Sequence, residues 1–145
     1  MKIEFTMEMD IPSATAQQIG VAIRNGRPHT YKKKKVKEAE AHFAVNLRPH
    51  RPHQPVEGAT MLSIVWSYHS KVKKRNGEMK ITRPDLDNLN KIIQDSLVRE
   101  GFLKDDAQVA ILKSYKVWTD RPENIHIVIQ TLEGVRILYD KKVTS

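Results

Sequence analysis

The clearest pattern in the chain begins at residue 85 and reads DLDNLNKIIQDSLVREG. Its apolar residues recur at spacings of three and four, which predicts an amphipathic helix from about Asp85 to Glu100. Gly101 then stands where helices commonly end in a left-handed residue, and Phe102 can pack back on the last turn. The predicted buried face consists of Leu86, Leu89, Ile92, Ile93 and Leu97.

Strands are predicted on both sides of this helix. Residues 3–9 alternate between apolar and polar side chains, as in a half-buried strand. Residues 61–68 form a nearly continuous apolar run, which indicates a well-buried strand. Residues 109–118 and 125–131 follow the helix as two further strands, and residues 135–139 are predicted to form a short edge strand.

A second helix is predicted over residues 32–48, with Pro49 as its stop. Residues 25–28 indicate a turn, and the rest of 13–31 carries no clear pattern. The order β, α, β, α, β, β predicts an α/β (α+β) fold, a single domain over residues 1–145 with two main helices on one mixed sheet. Residues after about 133 are expected to form a tail.

The composition limits the classes of function. The 145 residues fit one domain, and 25 Lys and Arg against 17 Asp and Glu give a net charge of +8. Such a balance favours a polyanionic partner, nucleic acid first. The chain has no cysteine, which excludes disulfides, thiolate metal sites and cysteine nucleophiles and fits a reducing cytosol. With no apolar stretch near the ~20 residues of a membrane helix, we expect no membrane partner.

Two segments carry most of the positive charge. Residues 24–53 hold nine Lys and Arg, and residues 71–83 hold six. Two basic segments in one small domain predict a surface for the phosphate backbone of a nucleic acid rather than for base readout, because aromatic residues for stacking are few. The predicted DNA-binding residues are Arg27, Lys32, Lys33, Lys34, Lys35, Lys71, Lys73, Lys74, Arg75 and Arg83.

Acidic residues flank the 85–100 helix at both ends. Asp85 is in position to cap the helix, and Asp87 with Lys91 forms an i,i+4 pair of opposite charge. Asp105 and Asp106 follow just beyond the helix end, where aspartates also favour a turn. These residues therefore admit a purely structural interpretation. They also admit a site, provided that the chain turns back and brings Asp106 to Asp85 and Asp87.

A convergence of three carboxylates would require a cation to keep them ionised. Oxygen ligands without cysteine select Mg²⁺, with Mn²⁺ as a substitute. A carboxylate-bound Mg²⁺ beside a basic surface is suited to phosphodiester hydrolysis, in which a nearby lysine stabilises developing negative charge.

The motifs DLDNL at residues 85–89, Lys91, GFL at 101–103 and DDAQV at 105–109 resemble the RusA family of Holliday junction resolvases. The close resemblance covers about residues 83–118. It implies a Mg²⁺-dependent, homodimeric endonuclease that acts on four-way DNA junctions in recombination and repair. It also implies a bacterial cytoplasmic location, with phage or prophage origin possible.

The resemblance also implies residue roles. Asp85, Asp87 and Asp106 correspond to the metal-binding, catalytic aspartates of the family, with Asp105 as a second choice for the third ligand. Lys91 corresponds to the family's essential lysine. The His- and Pro-rich loop at residues 48–55 matches no family motif. The alternative is a non-catalytic basic DNA- or RNA-binding module, in which the acids only cap a helix and form turns and no cleavage occurs.

Overall fold

A computed structural model describes residues 1–13, 19–32 and 34–138 of the chain. The predicted mixed α+β architecture with two helices over one main sheet is confirmed. None of the described helices has the length and apolarity needed to span a bilayer. The elements are β1 (Lys2–Glu8), β2 (Ile19–Arg24), β3 (Arg27–Lys32), α1 (Lys34–Leu47), β4 (Thr60–His69), α2 (Leu86–Arg99), β5 (Val109–Thr119) and β6 (Asn124–Thr131).

The main sheet has the strand order β1-β6-β4-β5. β6 pairs antiparallel with both β1 and β4, whereas β4 and β5 run parallel. A parallel pair requires a crossover connection, and α2 lies in the crossover from β4 to β5. This connection fixes α2 over the sheet next to β5, which forms one edge.

The core lies between the helices and one face of the sheet. Trp66 of β4 is completely buried, and the Phe43 ring of α1 meets its indole edge-on at 6.3 Å between centroids. The predicted buried face of α2 is confirmed, since Leu89, Ile92, Ile93 and Leu97 are buried and Leu86 is half-buried. Gly101 ends the helix at φ +83°, and the N–H of Phe102 donates to the carbonyl of Leu97, as predicted for this terminus.

Two features of the fold depart from the sequence prediction. Residues 19–32 form a β-hairpin that the sequence pattern missed, although its turn at Asn25 and Gly26 falls inside the predicted 25–28 turn. Pro28 within β3 weakens the strand pattern, and both turn residues have the positive φ that such hairpins require. The prediction of an edge strand at 135–139 is wrong for residues 135–138, which are irregular and exposed. Tyr139 lies outside the described residues. A turn at Gly134 precedes this segment.

Candidate active site

Asp85 stands at the N-cap position of α2 with extended backbone angles, φ −73° and ψ 142°. Its side chain accepts no capping hydrogen bond, so the prediction that this carboxylate caps the helix is wrong. The side chain is exposed. The carboxylate of Asp85 is therefore available to a ligand from solvent.

Asp87 and Lys91 are both exposed on the outer face of α2. The predicted i,i+4 ion pair is also wrong, because no N–O distance of 4.0 Å or less joins these two described residues. Such an exposed pair stabilises a helix by at most ~0.5 kcal/mol, which does not compel two long side chains into one geometry. The start of α2 thus presents two carboxylates and one ammonium group that make no bond to one another.

Helix α2 and strand β5 run side by side in opposite directions. Near the helix start, the Lys116 Nζ atom donates to the carbonyl of Pro84 at 2.7 Å. Half-way along, the Ser114 hydroxyl donates to the Asn90 Oδ1 atom at 2.7 Å. Near the helix end, the negative charge of Asp95 raises the pKa of Asp106, which lies just before β5. The residues that precede β5 therefore lie beside the second half of α2.

The Asp105 and Asp106 pair divides into a structural and an available carboxylate. Asp105 accepts a hydrogen bond from the N–H of Ala107 at 3.0 Å, and its own N–H donates to the Gln108 Oε1 atom at 3.0 Å. The bond from Ala107 and a side-chain bond with Asp106 lower the pKa of Asp105. The hydrogen bond with Asp105 and the charges of Asp105 and Asp95 raise the pKa of the exposed Asp106. Asp105 therefore holds the turn, and the Asp106 side chain is exposed beside it.

The sequence missed the role of Gln108 in this turn. The Gln108 Nε2 atom donates to the carbonyls of Val56 and Gly58 at 2.8 and 3.1 Å, and so attaches the turn to the loop before β4. The spacing of Asp105 and Gln108 is that of a capping box, a signal available in the sequence.

A single chain does not bring all three predicted metal ligands together. Asp85 and Asp87 share the start of α2, whereas Asp106 lies near Asp95, which is eight residues from Asp87 and thus ~12 Å further along the helix axis. No group of three or more acidic or histidine side chains within residues 1–13, 19–32 and 34–138 is arranged to hold a metal ion.

The residues of the second basic segment that are predicted to bind DNA are all exposed. Lys71, Lys73, Lys74 and Arg83 are exposed on the loop that leads from β4 to the start of α2. Arg75 of the same loop is exposed and lies 5.8 Å from the centre of the Trp118 ring. This loop therefore carries exposed positive charge up to Arg83, two residues before Asp85.

The first basic segment is described only in part. Arg27 is exposed at the hairpin turn, and Lys34 and Lys35 are exposed at the start of α1. Lys33 and the side chain of Lys32 lie outside the described residues. No described contact shows how these residues stand relative to Asp85.

The His- and Pro-rich loop at 48–55 has a structural role that the sequence did not indicate. Arg51 contacts the Glu100 Oε2 atom at 2.8 Å and Arg48 contacts it at 3.2 Å. The His50 ring stacks on Phe5 at 4.4 Å between centroids. Burial disfavours the charge of Glu100, but the hydrogen bonds from the two arginines outweigh it and lower its pKa. The loop thus anchors the C-terminal end of α2.

Two comparisons with known proteins identify the family of the chain. Residues 10–130 match the family described as endodeoxyribonuclease RusA. The chain is also 33% identical over 131 residues to a protein of Lactococcus phage r1t named crossover junction endodeoxyribonuclease rusA. The match covers 89% of this chain and 98% of the phage protein.

Proposed function

The chain belongs to the endodeoxyribonuclease RusA family, and from this membership we propose how its residues act on a crossover junction. It is an endodeoxyribonuclease that resolves Holliday junctions, which are four-way DNA structures. The non-catalytic binding module admitted by the sequence is set aside by this membership.

The observation that carries the assignment of the site is the pair of carboxylates at the start of α2. Asp85 and Asp87 are exposed, and neither makes a hydrogen bond or ion pair with another described side chain. Two unpaired aspartates close together in sequence beside a basic loop repel each other unless a cation binds. We assign them as the catalytic aspartates of this chain.

The donor set fits Mg²⁺, with Mn²⁺ as a substitute, because it offers carboxylate oxygens and the chain has no cysteine. When bound, the metal would act as a Lewis acid on the scissile phosphate. Lys91 lies one turn after Asp87 on the exposed face of α2. From there its ammonium group would stabilise negative charge that develops on the phosphate oxygens.

Asp106 would complete the site from a second protomer. Within one chain Asp106 lies beside the second half of α2, so two ligands are at one end of the helix and the third is at the other. Two copies in antiparallel contact would reverse this relation. The partner's Asp106 would then approach Asp85 and Asp87, and the same contact would build both sites of a C₂ dimer.

The edge strand β5 provides a surface for this dimer. The Glu78–Lys80 segment covers the backbone of β5 at Lys116 and Trp118, whereas no described segment pairs with this edge over residues 110–115. Ile111, Leu112 and Tyr115 are exposed on the uncovered part. Antiparallel pairing of two β5 strands would extend the sheet across the dimer. It would carry the partner's Asp106 toward the end of β5 at which Lys116 contacts Pro84.

A dimer also suits the substrate. A four-way junction has approximate two-fold symmetry, and its resolution needs two matched cuts in strands related by that symmetry. Two sites related by a C₂ axis supply them. The exposed lysines and arginines of residues 71–83 would bind the phosphates of the DNA arms. Resolution of such junctions would serve recombination and repair.

The test is cleavage of a synthetic four-way junction and of a matched linear duplex, in Mg²⁺ and in a chelator. We expect cutting of the junction in Mg²⁺ alone, and loss of cutting in Asp87→Asn with junction binding retained. Glu8→Gln, which removes an exposed carboxylate at the end of β1, is the matched control and should cut normally. An Asp87→Asn protein that cuts as fast as the control would remove Asp87 from the site.

A further inference from the structure

Lys80 differs from the other charged residues of the 71–83 loop. Only 8% of the residue is exposed, whereas its neighbours in the loop are exposed. Lysine is seldom buried without a carboxylate partner, and Lys80 makes no ion pair with any described acid. A buried cation on a basic loop therefore requires a reason other than contact with DNA.

The contacts of Lys80 supply that reason. Its Nζ atom donates to the carbonyl of Arg83 at 2.7 Å and to the hydroxyl of Thr82. The same atom lies 4.9 Å from the centre of the Tyr68 ring and 4.7 Å from that of Trp118. The ammonium group is thus compensated by two oxygen acceptors on its own loop and by two aromatic faces of the sheet.

Lys116 of β5 acts on the same segment from the other side. Its Nζ atom donates to the carbonyls of Thr82 at 2.6 Å and Pro84 at 2.7 Å. The backbone N–H of Lys80 also donates to the carbonyl of Lys116 at 2.8 Å, which attaches the loop to β5. Together the two side chains bind the carbonyls of three consecutive residues, 82, 83 and 84, immediately before Asp85.

We propose that Lys80 and Lys116, here called the lysine clamp, are positioning residues that fix the backbone from which the Asp85 carboxylate projects. The inference rests on the proposed function, because it takes Asp85 as a metal ligand. Asp85 accepts no capping bond that would orient it from α2, so the preceding backbone is what sets its direction. The clamp touches neither the metal nor the scissile phosphate and acts through the position of Asp85.

The lysine clamp should therefore fail differently from the exposed lysines of the same loop. Loss of an exposed lysine weakens junction binding and leaves the metal requirement unchanged. Loss of the clamp releases the backbone before Asp85, so it should weaken metal binding and leave junction affinity nearly unchanged. Residues that orient metal ligands typically change metal affinity ~10–100-fold when removed.

The experiment compares Lys116→Met and Lys80→Met with Lys116→Arg and with the parent protein. Lys2→Met, an exposed lysine of β1, is the control. Three quantities are measured: backbone NMR order parameters of residues 81–83, 85 and 86 in the metal-free protein, Mn²⁺ binding to the protein by calorimetry, and the Mg²⁺ concentration for half-maximal cutting at saturating junction. Junction affinity is measured in chelator.

We expect lower order parameters confined to residues 81–83, 85 and 86 in both Met variants. Mn²⁺ binding should weaken and the half-maximal Mg²⁺ concentration should rise, each ~10-fold. Lys116→Arg should recover most of the parent behaviour, because a guanidinium group can donate to both carbonyls. Unchanged order parameters and unchanged metal binding in the folded Met variants would overturn the proposal.

Two further outcomes are a Met variant that does not fold and a failure of the proposed site itself. If a Met variant does not fold, Thr82→Val replaces it, since this change removes the hydroxyl that accepts from Lys80 and leaves the core intact. Order parameters of residues 81–83, 85 and 86 that stay at the parent level in Thr82→Val would then overturn the proposal. Failure of the proposed site is seen separately, as normal cutting by Asp85→Asn.

Discussion

The two ends of helix α2 use acidic residues in opposite ways. At the C-terminal end, the Glu100 side chain is 7% exposed and is bound by Arg48 and Arg51. At the N-terminal end, Asp85 and Asp87 are exposed and bind no described side chain. A buried carboxylate without a partner destabilises the fold, because its charge is removed from water. An exposed pair of carboxylates remains hydrated and can bind a cation from solvent. The comparison separates the acid that maintains the fold from the acids that serve catalysis.

The largest expected effect is the loss of cutting when a carboxylate at the N-terminal end of α2 is removed. Asp87→Asn should reduce cutting at least ~100-fold, because an amide oxygen binds Mg²⁺ more weakly than a carboxylate. Its free energy of unfolding should change by less than ~0.5 kcal/mol, since the side chain is exposed and unpaired. Single-turnover cutting and urea denaturation measure the two quantities. A large loss of stability would place Asp87 with Glu100 as a structural acid.

Lys91→Ala should lower the rate of cutting ~100-fold or more while junction affinity and its dependence on salt stay nearly constant. The reason is that Lys91 is assigned to the reacting phosphate and not to the DNA arms. Cutting at saturating junction and a salt titration of binding check this. Near-parent rates in Lys91→Ala would leave the ammonium group outside the mechanism.

The opposite end should respond in stability rather than in activity. Glu100→Gln removes the charged acceptor of two arginines and should cost about 2 kcal/mol of unfolding free energy, because both arginines keep partial access to water. Urea denaturation measures this. The rate of cutting per folded molecule should remain within about two-fold of the parent at 25 °C. A rate that falls as in Asp87→Asn would remove the distinction between the two ends.

The pKa of Glu100 gives this end a pH dependence. The hydrogen bonds of Arg48 and Arg51 lower the pKa in the folded state below the ordinary value of 4.5. The unfolded chain therefore binds the proton more readily, and the stabilisation is present above pH 4.5 and is lost as the pH falls through the folded-state pKa. We expect the stability difference between the parent and Glu100→Gln to shrink on acidification, as measured by thermal unfolding at several pH values. A difference that grows below pH 4.5 would contradict this assignment.

The smallest effects are expected in the basic loop that leads into the N-terminal end of α2. Each of Lys71, Lys73 and Lys74 is exposed, so a change to Ala should leave stability unchanged. Each phosphate contact that is lost should reduce the slope of log affinity against log salt by about 0.9. Binding to junctions at several salt concentrations measures this slope. An unchanged slope in a triple variant would exclude the loop from the DNA surface.

Much of the main fold follows from local sequence patterns. The apolar spacing of α2 and the alternation of β1 predict those elements to within a residue or two, because burial of one face determines both patterns. The hairpin at residues 19–32 was not predicted, because Pro28 and a mixed side-chain pattern obscure its strands. The tail strand at 135–138 was overpredicted from three apolar residues that find no partner in the described sheet.

The site was predictable as a set of residues and not as a geometry. The positions of Asp85, Asp87 and Asp106 are readable from a motif, but whether they meet depends on the direction of β5 beside α2, a tertiary property. The contacts of Arg48 and Arg51 with Glu100 join residues about fifty positions apart, and no local pattern encodes such a pair. The burial of Lys80 escaped prediction for the same reason, since the Tyr68 and Trp118 rings that cover its ammonium group lie far from it in sequence.

The central claim is that each site joins Asp85 and Asp87 of one protomer with the partner's Asp106. It is tested by mixing two inactive proteins, Asp87→Asn and Asp106→Asn, after subunit exchange. A mixed dimer would then contain one site with both changes and one site with none. We predict that the mixture recovers nicking of a single junction strand, whereas a mixture of Asp85→Asn with Asp87→Asn stays inactive. No recovery in exchanged dimers would show that the three aspartates act within one chain and would contradict the account.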